Sequence, residues 1–383
     1  MLKFVVIGDL IEDVFIYGSS ERLNPEGSAP LLTHKKTILK QGGAGNVVEN
    51  LRNLGLSVDF YYPQSKPSRK TRVCSENSTI VRIDEDVISQ PLNLPKETLD
   101  HDFVIVSDYN KGAIGNVSDL IELLPGKVFV DPKKEFHNYS NAFCIKPNKI
   151  EFEKYWGEVT LDNLKRLAIE NNHELVIVTL GKDGVIYYYD DKIKTLPAIT
   201  NNVADVTGAG DCFMAALVYA ISEGYSIDES IKIANTGAGK SVSHYGTYVL
   251  SKSDLIKTKV FTNGCFDILH RGHIELLEKS KLLGDYLIVG LNSDQSVKRL
   301  KGSDRPINNQ EDRKKALECL KFVDEVIIFD EDTPYSLIKQ VKPDIITKGG
   351  DYSIETVVGN DLATVKIIPY VNGYSTTSII EKL

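Results

Sequence analysis

Short apolar segments recur along the chain, each followed by small or polar residues and separated from the next by helical patterns. Continuous apolar strands that alternate with helices are typical of a parallel sheet covered by helices on both faces. The chain is therefore predicted to belong to the α/β class, with ligands bound at the carboxyl ends of the strands. The clearest of these strands are residues 4–7, 103–106, 128–130 and 175–179.

The strand and helix pattern restarts at residue 259, after a segment at residues 251–254 that has the composition of a linker. A chain of 383 residues suggests two or three domains at roughly 100–200 residues per domain. We therefore predict two α/β domains, residues 1–254 and 255–383. In the second, strands are expected at 259–262, 286–291, 325–329 and 344–347, with helices at 272–283, 310–320 and 334–340.

Charge and composition limit the partners of the chain. The net charge of −8 argues against broad nucleic-acid binding, which needs a basic footprint, but allows small anionic ligands. No apolar run approaches the ~18 residues of a membrane helix, and the N-terminal segment ends in Gly8-Asp9 as a buried strand does. Five scattered cysteines without a CxxC pair favour a reducing compartment. We expect a cytoplasmic protein that acts on small molecules, with no nucleic-acid or membrane partner.

The strongest local signal is the segment 261–273, Phe-Thr-Asn-Gly-Cys-Phe-Asp-Ile-Leu-His-Arg-Gly-His. His270 and His273 are three residues apart at the start of a predicted helix, so they share one face. Two imidazoles at a helix N-terminus suit a polyphosphate, and attack on the α-phosphorus by a phosphate nucleophile needs charge stabilisation but no general base. Taken alone, the pair could equally be surface or capping residues. A metal site would want a third ligand and i,i+4 spacing.

The rest of the C-terminal segment resembles the cytidylyltransferase-like nucleotidyltransferases, which have a Rossmann-like fold. It is most similar to the adenylyltransferase half of the bifunctional heptose 7-phosphate kinase / heptose 1-phosphate adenylyltransferase family. The residues that carry the resemblance, besides segment 261–273, are Asn292-Ser-Asp294, the basic loop 298–305, Glu311-Asp-Arg313 at the start of a helix, Lys348-Gly-Gly-Asp-Tyr352 and Ser375-Thr-Thr-Ser378.

The resemblance implies roles for individual residues of this segment. His270 and His273 would contact the triphosphate, and Lys301 with Arg305 would neutralise phosphate charge, although a basic loop can also be merely a solvated surface. Further nucleotide contacts are implied for Thr262, Asn263, Phe266, Lys348, Ser375, Thr376 and Thr377.

In the first domain, Asp205-Val-Thr-Gly-Ala-Gly-Asp211 precedes an apolar helix. Gly208 and Gly210 leave backbone N–H groups free for an anion at the helix N-terminus. Asp211 can accept a hydroxyl proton during phosphoryl transfer. A bare Gly-Ala-Gly-Asp would more often be a glycine turn with an aspartate cap. The full segment resembles the ribokinase-like, PfkB-type carbohydrate kinases.

The resemblance to the carbohydrate kinases also implies which ligands the first domain binds. The carbohydrate kinases use ATP as a substrate with Mg²⁺, and Glu151 would act on the metal indirectly. Nucleotide and phosphate contacts are implied for Asn148, Glu151, Thr179, Gly181, Gly184, Gly208, Ala209, Gly210 and Asn235. Sugar contacts are implied for Asp13, Gly42, Gly43, Asn46 and Lys133.

The chain departs from the family at residues 59–70, where the family carries a further strand and helix. A segment of several tens of residues is therefore expected to be missing beside the sugar site. We predict a bifunctional, homodimeric enzyme that phosphorylates heptose 7-phosphate and transfers AMP to heptose 1-phosphate. The alternatives are a transferase with a degenerate kinase domain, the same chemistry on another phosphosugar or polyol phosphate, and a nucleotide sensor without turnover.

Overall fold

The computed structural model describes residues 2–75, 78–94, 100–115, 121, 124, 126–200, 203–350 and 352–369. The chain divides into two compact units, residues 1–255 and 256–383. Each unit is built on a sheet with parallel strands, so the α/β class predicted from the sequence is confirmed. Among helices of the described residues, none combines the length and apolar character needed to cross a bilayer.

The first unit contains the strands β1 to β12. Their bounds are β1 Phe4–Gly8, β2 Leu10–Leu23, β3 Pro30–Gly43, β4 Val58–Tyr61, β5 Ser68–Ser75, β6 Ser78–Glu85, β7 Phe103–Ser107, β8 Lys127–Asp131, β9 Cys144–Ile145, β10 Leu175–Thr179, β11 Val185–Tyr189 and β12 Lys192–Leu196. The helices are α1 Ala44–Asn53, α2 Lys149–Trp156, α3 Leu161–Glu170, α4 Ala209–Ser222, α5 Ile227–Val242 and α6 Lys252–Leu255.

Eight strands of this unit form one sheet in the order β12-β11-β10-β9-β8-β7-β1-β4. The strands from β10 to β4 in this order run parallel, and β11 and β12 pair antiparallel at one edge. The apolar strands expected from the sequence, β1, β7, β8 and β10, lie in its interior and are buried almost throughout. Their carboxyl ends therefore meet at one edge, where the polar residues that follow them collect.

A second sheet of the first unit has four strands in the order β3-β2-β5-β6. Its β2 starts directly after β1, so one stretch of chain passes from one sheet to the other. Ile11, Asp13 and Phe15 on β2 are buried, whereas every residue of β6 is exposed. Residues 62–67 alone connect β4 to β5, and β4 is the last strand of the eight-stranded sheet. No further strand stands between β4 and β5 in the described chain, where the sequence departs from the family.

The second unit is a five-stranded parallel sheet in the order β15-β14-β13-β16-β17. The order reverses between β13 and β16, and such a switch point is where ligands bind in open α/β sheets. Strand β17 was not predicted from the sequence. The bounds are β13 Lys259–Gly264, β14 Tyr286–Asn292, β15 Glu325–Phe329, β16 Ile345–Gly349 and β17 Thr364–Ile368, with helices α7 Arg271–Lys281, α8 Asp294–Lys301, α9 Gln310–Glu318 and α10 Tyr335–Val341.

Two candidate active sites

A cavity of about 600 Å³ opens at the carboxyl end of β13 in the second unit. His270 occupies the N-cap position of α7, and His273 lies in the first turn of that helix. Their rings stack with centroids 3.8 Å apart, and both line the cavity. His270 Nδ1 is buried without a hydrogen-bond partner among the described residues. The helix start thus places two imidazole rings against the cavity.

Burial controls the charge of the two histidines. It lowers the pKa of His270, and burial together with the neighbouring His270 ring lowers the pKa of His273 to about 4. Both rings are therefore neutral near pH 7 in the free protein. A neutral imidazole donates one N–H and accepts at its other nitrogen, so the pair can hydrogen-bond phosphate oxygens without bringing charge of its own.

The positive charge in this cavity comes from lysine and arginine. Lys348, at the end of β16, donates to the backbone oxygen of Asn263 over 3.1 Å, and burial lowers its pKa to about 8. Lys348 forms an ion pair with none of the described carboxylates, and Lys301 lines the same cavity from the end of α8. A buried cation without a counter-ion is costly unless an anionic ligand pairs with it. The cavity therefore suits a phosphate-bearing molecule.

Arg305 also lines this cavity, but its guanidinium group already has a carboxylate partner within the protein. Its Nε donates to Asp267 over 2.7 Å, and Asp267 accepts two further backbone N–H groups from Ile307 and Asn308. Arginine has five donors, so Arg305 keeps others for a ligand. Arg305 is thus held in place by the same carboxylate that orders its loop.

Arg313 organises this loop, and the sequence placed it at a helix start within the transferase pattern without predicting its role. Its fully buried guanidinium donates to the backbone oxygens of Asn308 and Cys265 and to the carboxylate of Asp294. These partners lie on three separate segments, and Cys265 belongs to the wall of the cavity. Arg313 therefore fixes the cavity wall without lining it, and nothing in its local sequence separates it from a surface arginine.

Of the other residues predicted for the transferase site, some line the cavity and others do not. Asn263 and Phe266 line the cavity, and Phe266 packs edge-on against His273 with centroids 5.1 Å apart. Thr262 does not line it, because its buried hydroxyl donates to the backbone oxygen of Thr347 on the neighbouring strand. Ser375, Thr376 and Thr377 lie outside the described residues.

In the first unit, Asp211 lies in the first turn of α4 and is buried. Asn46 donates to one carboxylate oxygen over 2.9 Å, and the Tyr109 hydroxyl donates to the other over 2.8 Å. Burial raises the pKa of Asp211 to about 6, against the effect of these two donors. The carboxylate is therefore ionised near pH 7 but basic enough to accept a proton.

Tyr109 belongs to the segment Ser107-Asp-Tyr-x-Lys-Gly112, which resembles the kinase half of the family, but the sequence predicted no role for it. Its backbone N–H and that of Lys111 donate to Asp9, which follows β1, and Ala113 donates to the other Asp9 oxygen over 2.9 Å. The loop after β7 is thus tied to the end of β1. This anchoring brings the Tyr109 hydroxyl to Asp211 although the two are far apart in the chain.

The backbone geometry before Asp211 explains why a glycine is needed there. Gly208 is in the left-handed region, with φ 77°, and a Cβ there would lie 2.7 Å from the Asn46 amide nitrogen. A side chain would therefore displace the residue that holds Asp211. No side chain caps α4, so its first backbone N–H groups remain available to an anion.

A charged cluster lies beside this helix start. Lys146 pairs with Asp131 over 3.1 Å, and both are buried or nearly so. Lys133 pairs with Glu151, whose side chain also completes a capping box with Asn148. The described residues contain no group of three or more ligands that could hold a metal alone. The cluster thus offers two carboxylates, each already paired with a lysine.

A mostly apolar cavity of about 180 Å³ lies next to the start of α4. Its predicted members are Thr179, Gly181, Gly184, Ala209, Gly210 and Asn235, whereas Gly208, Asn148 and Glu151 lie outside it. The Asn235 amide donates to the Pro197 oxygen over 2.8 Å, which fixes the cavity wall. An apolar slot beside a free helix N-terminus suits a nucleoside whose phosphates reach that terminus.

The predicted sugar residues meet where the two sheets of the first unit join. Asp13 is buried and pairs with Arg72 over 2.5 Å. A Cβ on Gly42 would lie 2.0 Å from a carboxylate oxygen of Asp13, so a side chain there would disrupt this pair. Gly43 precedes α1 with φ 60°, and Asn46 follows in its first turn. Lys133 is more exposed than these residues, and its amine pairs with Glu151.

We predict that Tyr109→Phe shifts the acid limb of any phosphoryl-transfer activity to higher pH. The hydroxyl stabilises the ionised form of Asp211, so its loss raises the pKa of Asp211 further above about 6, by about one pH unit. Activity should fall at pH 6 and change little at pH 8. The measurement is kcat/KM from pH 5 to 9, with Tyr335→Phe, in the other unit, as the control. An unshifted limb would contradict the assignment.

Each of the two units matches a different family of known proteins. A model described as pfkB family carbohydrate kinase matches residues 125–254, and one described as cytidylyltransferase-like matches residues 261–382. The kinase and nucleotidyltransferase domains predicted from the sequence are thereby confirmed. Ribokinase from Thermotoga maritima shares the fold, with a TM-score of 0.54 at 17% identity over 67% of this chain and 98% of that one. Phosphofructokinase-2 from Escherichia coli has the same TM-score at 15% identity, over 67% and 97% of the two chains.

Curated relatives match over the whole chain. The bifunctional protein HldE of a Nitratiruptor species is 37% identical over all of this chain and 99% of that protein. HldE of Campylobacter fetus is 36% identical over the full length of both. The first alignment spans 457 positions against 383 residues here, so at least 74 positions have no counterpart in this chain. With every residue aligned and both domains matched, the chain belongs to the family of bifunctional HldE proteins.

Proposed function

We propose that the chain catalyses two steps of ADP-heptose biosynthesis. The first unit transfers the γ-phosphoryl group of ATP to the C1 hydroxyl of heptose 7-phosphate. The second unit joins the AMP moiety of ATP to heptose 1-phosphate and releases pyrophosphate. A separate phosphatase must remove the 7-phosphate between the two steps. The observation that carries the proposal is that one chain holds both a buried carboxylate at a free helix start and a stacked histidine pair in a cationic cavity.

For the kinase step, Asp211 accepts the proton of the sugar hydroxyl as its oxygen attacks the γ-phosphorus. The bond from this phosphorus to the ADP oxygen breaks, and the departing charge develops at the start of α4. Backbone N–H groups there and the nearby Lys146 stabilise it. Mg²⁺ bound with ATP would neutralise phosphate charge, and Glu151 would contact it only indirectly, because its carboxylate already accepts from Lys133 and from the backbone N–H of Asn148.

For the transferase step, a phosphate oxygen of heptose 1-phosphate attacks the α-phosphorus of ATP, and the bond to pyrophosphate breaks. The nucleophile is already anionic, so no base is required. His270 and His273 donate to phosphate oxygens, and Lys348, Lys301 and Arg305 balance the charge that moves to pyrophosphate. Ser375, Thr376 and Thr377 complete the nucleotide site in this proposal.

Incubation of the full chain with ATP, Mg²⁺ and a panel of phosphosugars tests both steps, with products identified by mass spectrometry. Heptose 7-phosphate should yield a bisphosphate, and heptose 1-phosphate should yield ADP-heptose with pyrophosphate. We further propose that the enzyme is a homodimer in the cytoplasm. Light scattering of the purified chain tests the first of these statements and cell fractionation the second.

The connection of only six residues, 62–67, between β4 and β5 favours one alternative, a transferase whose kinase domain serves as a scaffold. The His273→Ala chain separates the two cases, because it keeps the first unit unchanged. Phosphorylation of heptose 7-phosphate by this variant supports the bifunctional enzyme. Its absence, with adenylyl transfer intact in the wild type, supports the scaffold.

We predict that the transferase prefers ATP to CTP. The HxGH segment is common to adenylyl and cytidylyl transferases, so the preference rests on the resemblance of the whole C-terminal segment to the heptose adenylyltransferases. Discrimination arises when buried polar groups match one base edge and are left unpaired by the other. Turnover with ATP, CTP, GTP and UTP at equal concentration is the measurement. Equal or better use of CTP would place the enzyme among the cytidylyltransferases.

A further inference from the structure

Lys146 is a buried cation at the start of α4. It follows the short strand β9, and its backbone N–H donates to the Val130 oxygen of β8 over 2.9 Å. Its side chain is almost wholly buried. A Cβ on Gly210, in the first turn of α4, would lie 3.5 Å from the Lys146 amine. The amine is therefore in contact with the helix start at which an anion is expected to bind.

Asp131 is the carboxylate that holds this amine. It ends β8, and one of its oxygens lies 3.1 Å from Lys146 Nζ. Burial disfavours the charge of the amine, but three carboxylates raise its pKa, those of Asp131, Glu151 and Asp211. A buried cation that loses such a partner becomes costly, so the position of the amine depends on the carboxylate beside it.

Asp131 in turn depends on Lys146. Burial raises the pKa of Asp131 and Glu151 on α2 adds to this, whereas Lys146 and Lys133 lower it. Lys133 is paired with Glu151, so Lys146 is the cation that remains for Asp131. The register neighbour of Asp131 on β7 is Ser107, whose buried hydroxyl has no hydrogen-bond partner in the described part of the chain. Asp131 and Lys146 therefore form one buried unit.

This pair also acts on Asp211. The pKa of Asp211 is raised to about 6 by burial and, against the Asn46 amide, by the negative charge of Asp131. The Tyr109 hydroxyl and the Lys146 amine lower it. Asp211 is thus surrounded by the loop after β7, the end of β8, the residue after β9 and α1, of which the last contributes only an uncharged amide. Among these groups, Asp131 is the one whose charge makes Asp211 a stronger base.

We propose that Asp131 is a positioning residue of the kinase step, which holds the Lys146 amine at the start of α4 and sets the electrostatic surroundings of Asp211. The inference rests on the proposed kinase function. In that step negative charge develops at the start of α4, and an amine fixed there in advance stabilises it without rearrangement. Asp131 acts through Lys146 and Asp211, so it needs no contact with either substrate.

The first test is Asp131→Asn in the full chain, which removes the charge and keeps the shape. The kcat for ADP release with heptose 7-phosphate should fall about 10–100-fold, with adenylyl transfer unchanged. The acid limb of kcat/KM should move to lower pH by about one unit, because the pKa of Asp211 falls when the negative charge is lost. A purely structural residue would lower kcat without this shift. An unchanged kcat, or a limb that stays in place or moves to higher pH, would overturn the proposal.

Two further variants separate charge from position. Asp131→Glu keeps the charge but displaces it by one methylene, so kcat should fall while the acid limb stays at its wild-type pH. In a Lys146→Met chain, Asp131→Asn should lower kcat by less than about threefold further, because Asp131 acts through Lys146. Losses that multiply would contradict this. The matched control is Asp228→Asn, which changes a carboxylate on α5 that pairs with Lys194 and should leave both activities unchanged.

A binding measurement separates this inference from the proposed function. Hydrogen exchange of residues 208–212, titrated with ADP and Mg²⁺, reports binding at the start of α4 and needs no turnover. Lys146→Met should weaken ADP binding about tenfold, whereas Asp131→Asn should bind ADP at least as tightly as the wild type, because the amine is no longer neutralised. This pattern in a chain that phosphorylates no sugar would keep the Asp131–Lys146 arrangement and reject the kinase function. Phosphorylation by the wild type, with ADP binding weakened by Asp131→Asn, would keep the kinase function and reject the proposal.

Discussion

His273→Ala should abolish adenylyl transfer while phosphorylation of the sugar continues. His273 stacks on His270 at the start of α7, and its low pKa makes it a neutral donor near pH 7. Loss of one pre-placed donor to a transition state typically costs ~10²–10³ in rate. Pyrophosphate release with ATP and heptose 1-phosphate is the measurement, and ADP release with heptose 7-phosphate reports the other half.

Two further variants sharpen this experiment. Glu278→Ala changes an exposed residue on the same helix and should leave both activities intact. His273→Asn keeps a neutral N–H donor and should retain more adenylyl transfer than the alanine variant. Wild-type pyrophosphate release by His273→Ala would show that the histidine pair has no part in the chemistry.

Asp211→Asn should remove phosphorylation of the sugar and leave adenylyl transfer unchanged. The amide cannot accept the hydroxyl proton, and loss of a positioned base typically costs ~10²–10⁴ in rate. The fold should tolerate the change, because the amide oxygen can accept from Asn46 while the Tyr109 hydroxyl turns to accept from the new amide. ADP release with heptose 7-phosphate is the measurement.

The matched control is Asp162→Asn, which changes an exposed aspartate in the first turn of α3. It should leave both activities unchanged. Normal phosphorylation by Asp211→Asn would reduce Asp211 to a structural role at the helix start. Loss of both activities in that variant would indicate a folding defect, which thermal unfolding of the purified chain would reveal.

Local sequence predicted the parts of the fold that depend on short segments. The interior strands β1, β7, β8 and β10 are apolar because both faces of the sheet are covered, and that pattern is visible without a structure. The segments that end in Asp211 and His273 could be recognised from the sequence, because each leads into the first turn of a helix and therefore has a fixed spacing of residues. By contrast, β17 and the four-stranded sheet are half-exposed, so their patterns are weaker.

Two residues of recognised segments act through long-range contacts that the sequence did not predict. Tyr109 reaches Asp211 across 102 positions of the chain, and Arg313 reaches Cys265 across 48. The local sequence does not reveal these contacts, because a tyrosine or an arginine looks the same in sequence whether its partner is water or a distant carboxylate. Thr262 shows the opposite case. It belongs to a recognisable segment, but the alternation of side chains along β13 turns its hydroxyl away from the cavity.

The position of β4 bears on how such a chain can change length during evolution. Removing an outermost strand costs one ladder of hydrogen bonds, whereas removing an interior strand costs two and splits the sheet. Strands β1, β7 and β8, which end at the proposed kinase site, lie inward of β4 and keep both neighbours. During evolution, residues can therefore be lost from the β4 edge of the sheet in small steps. The strands that position the proposed reacting groups are kept.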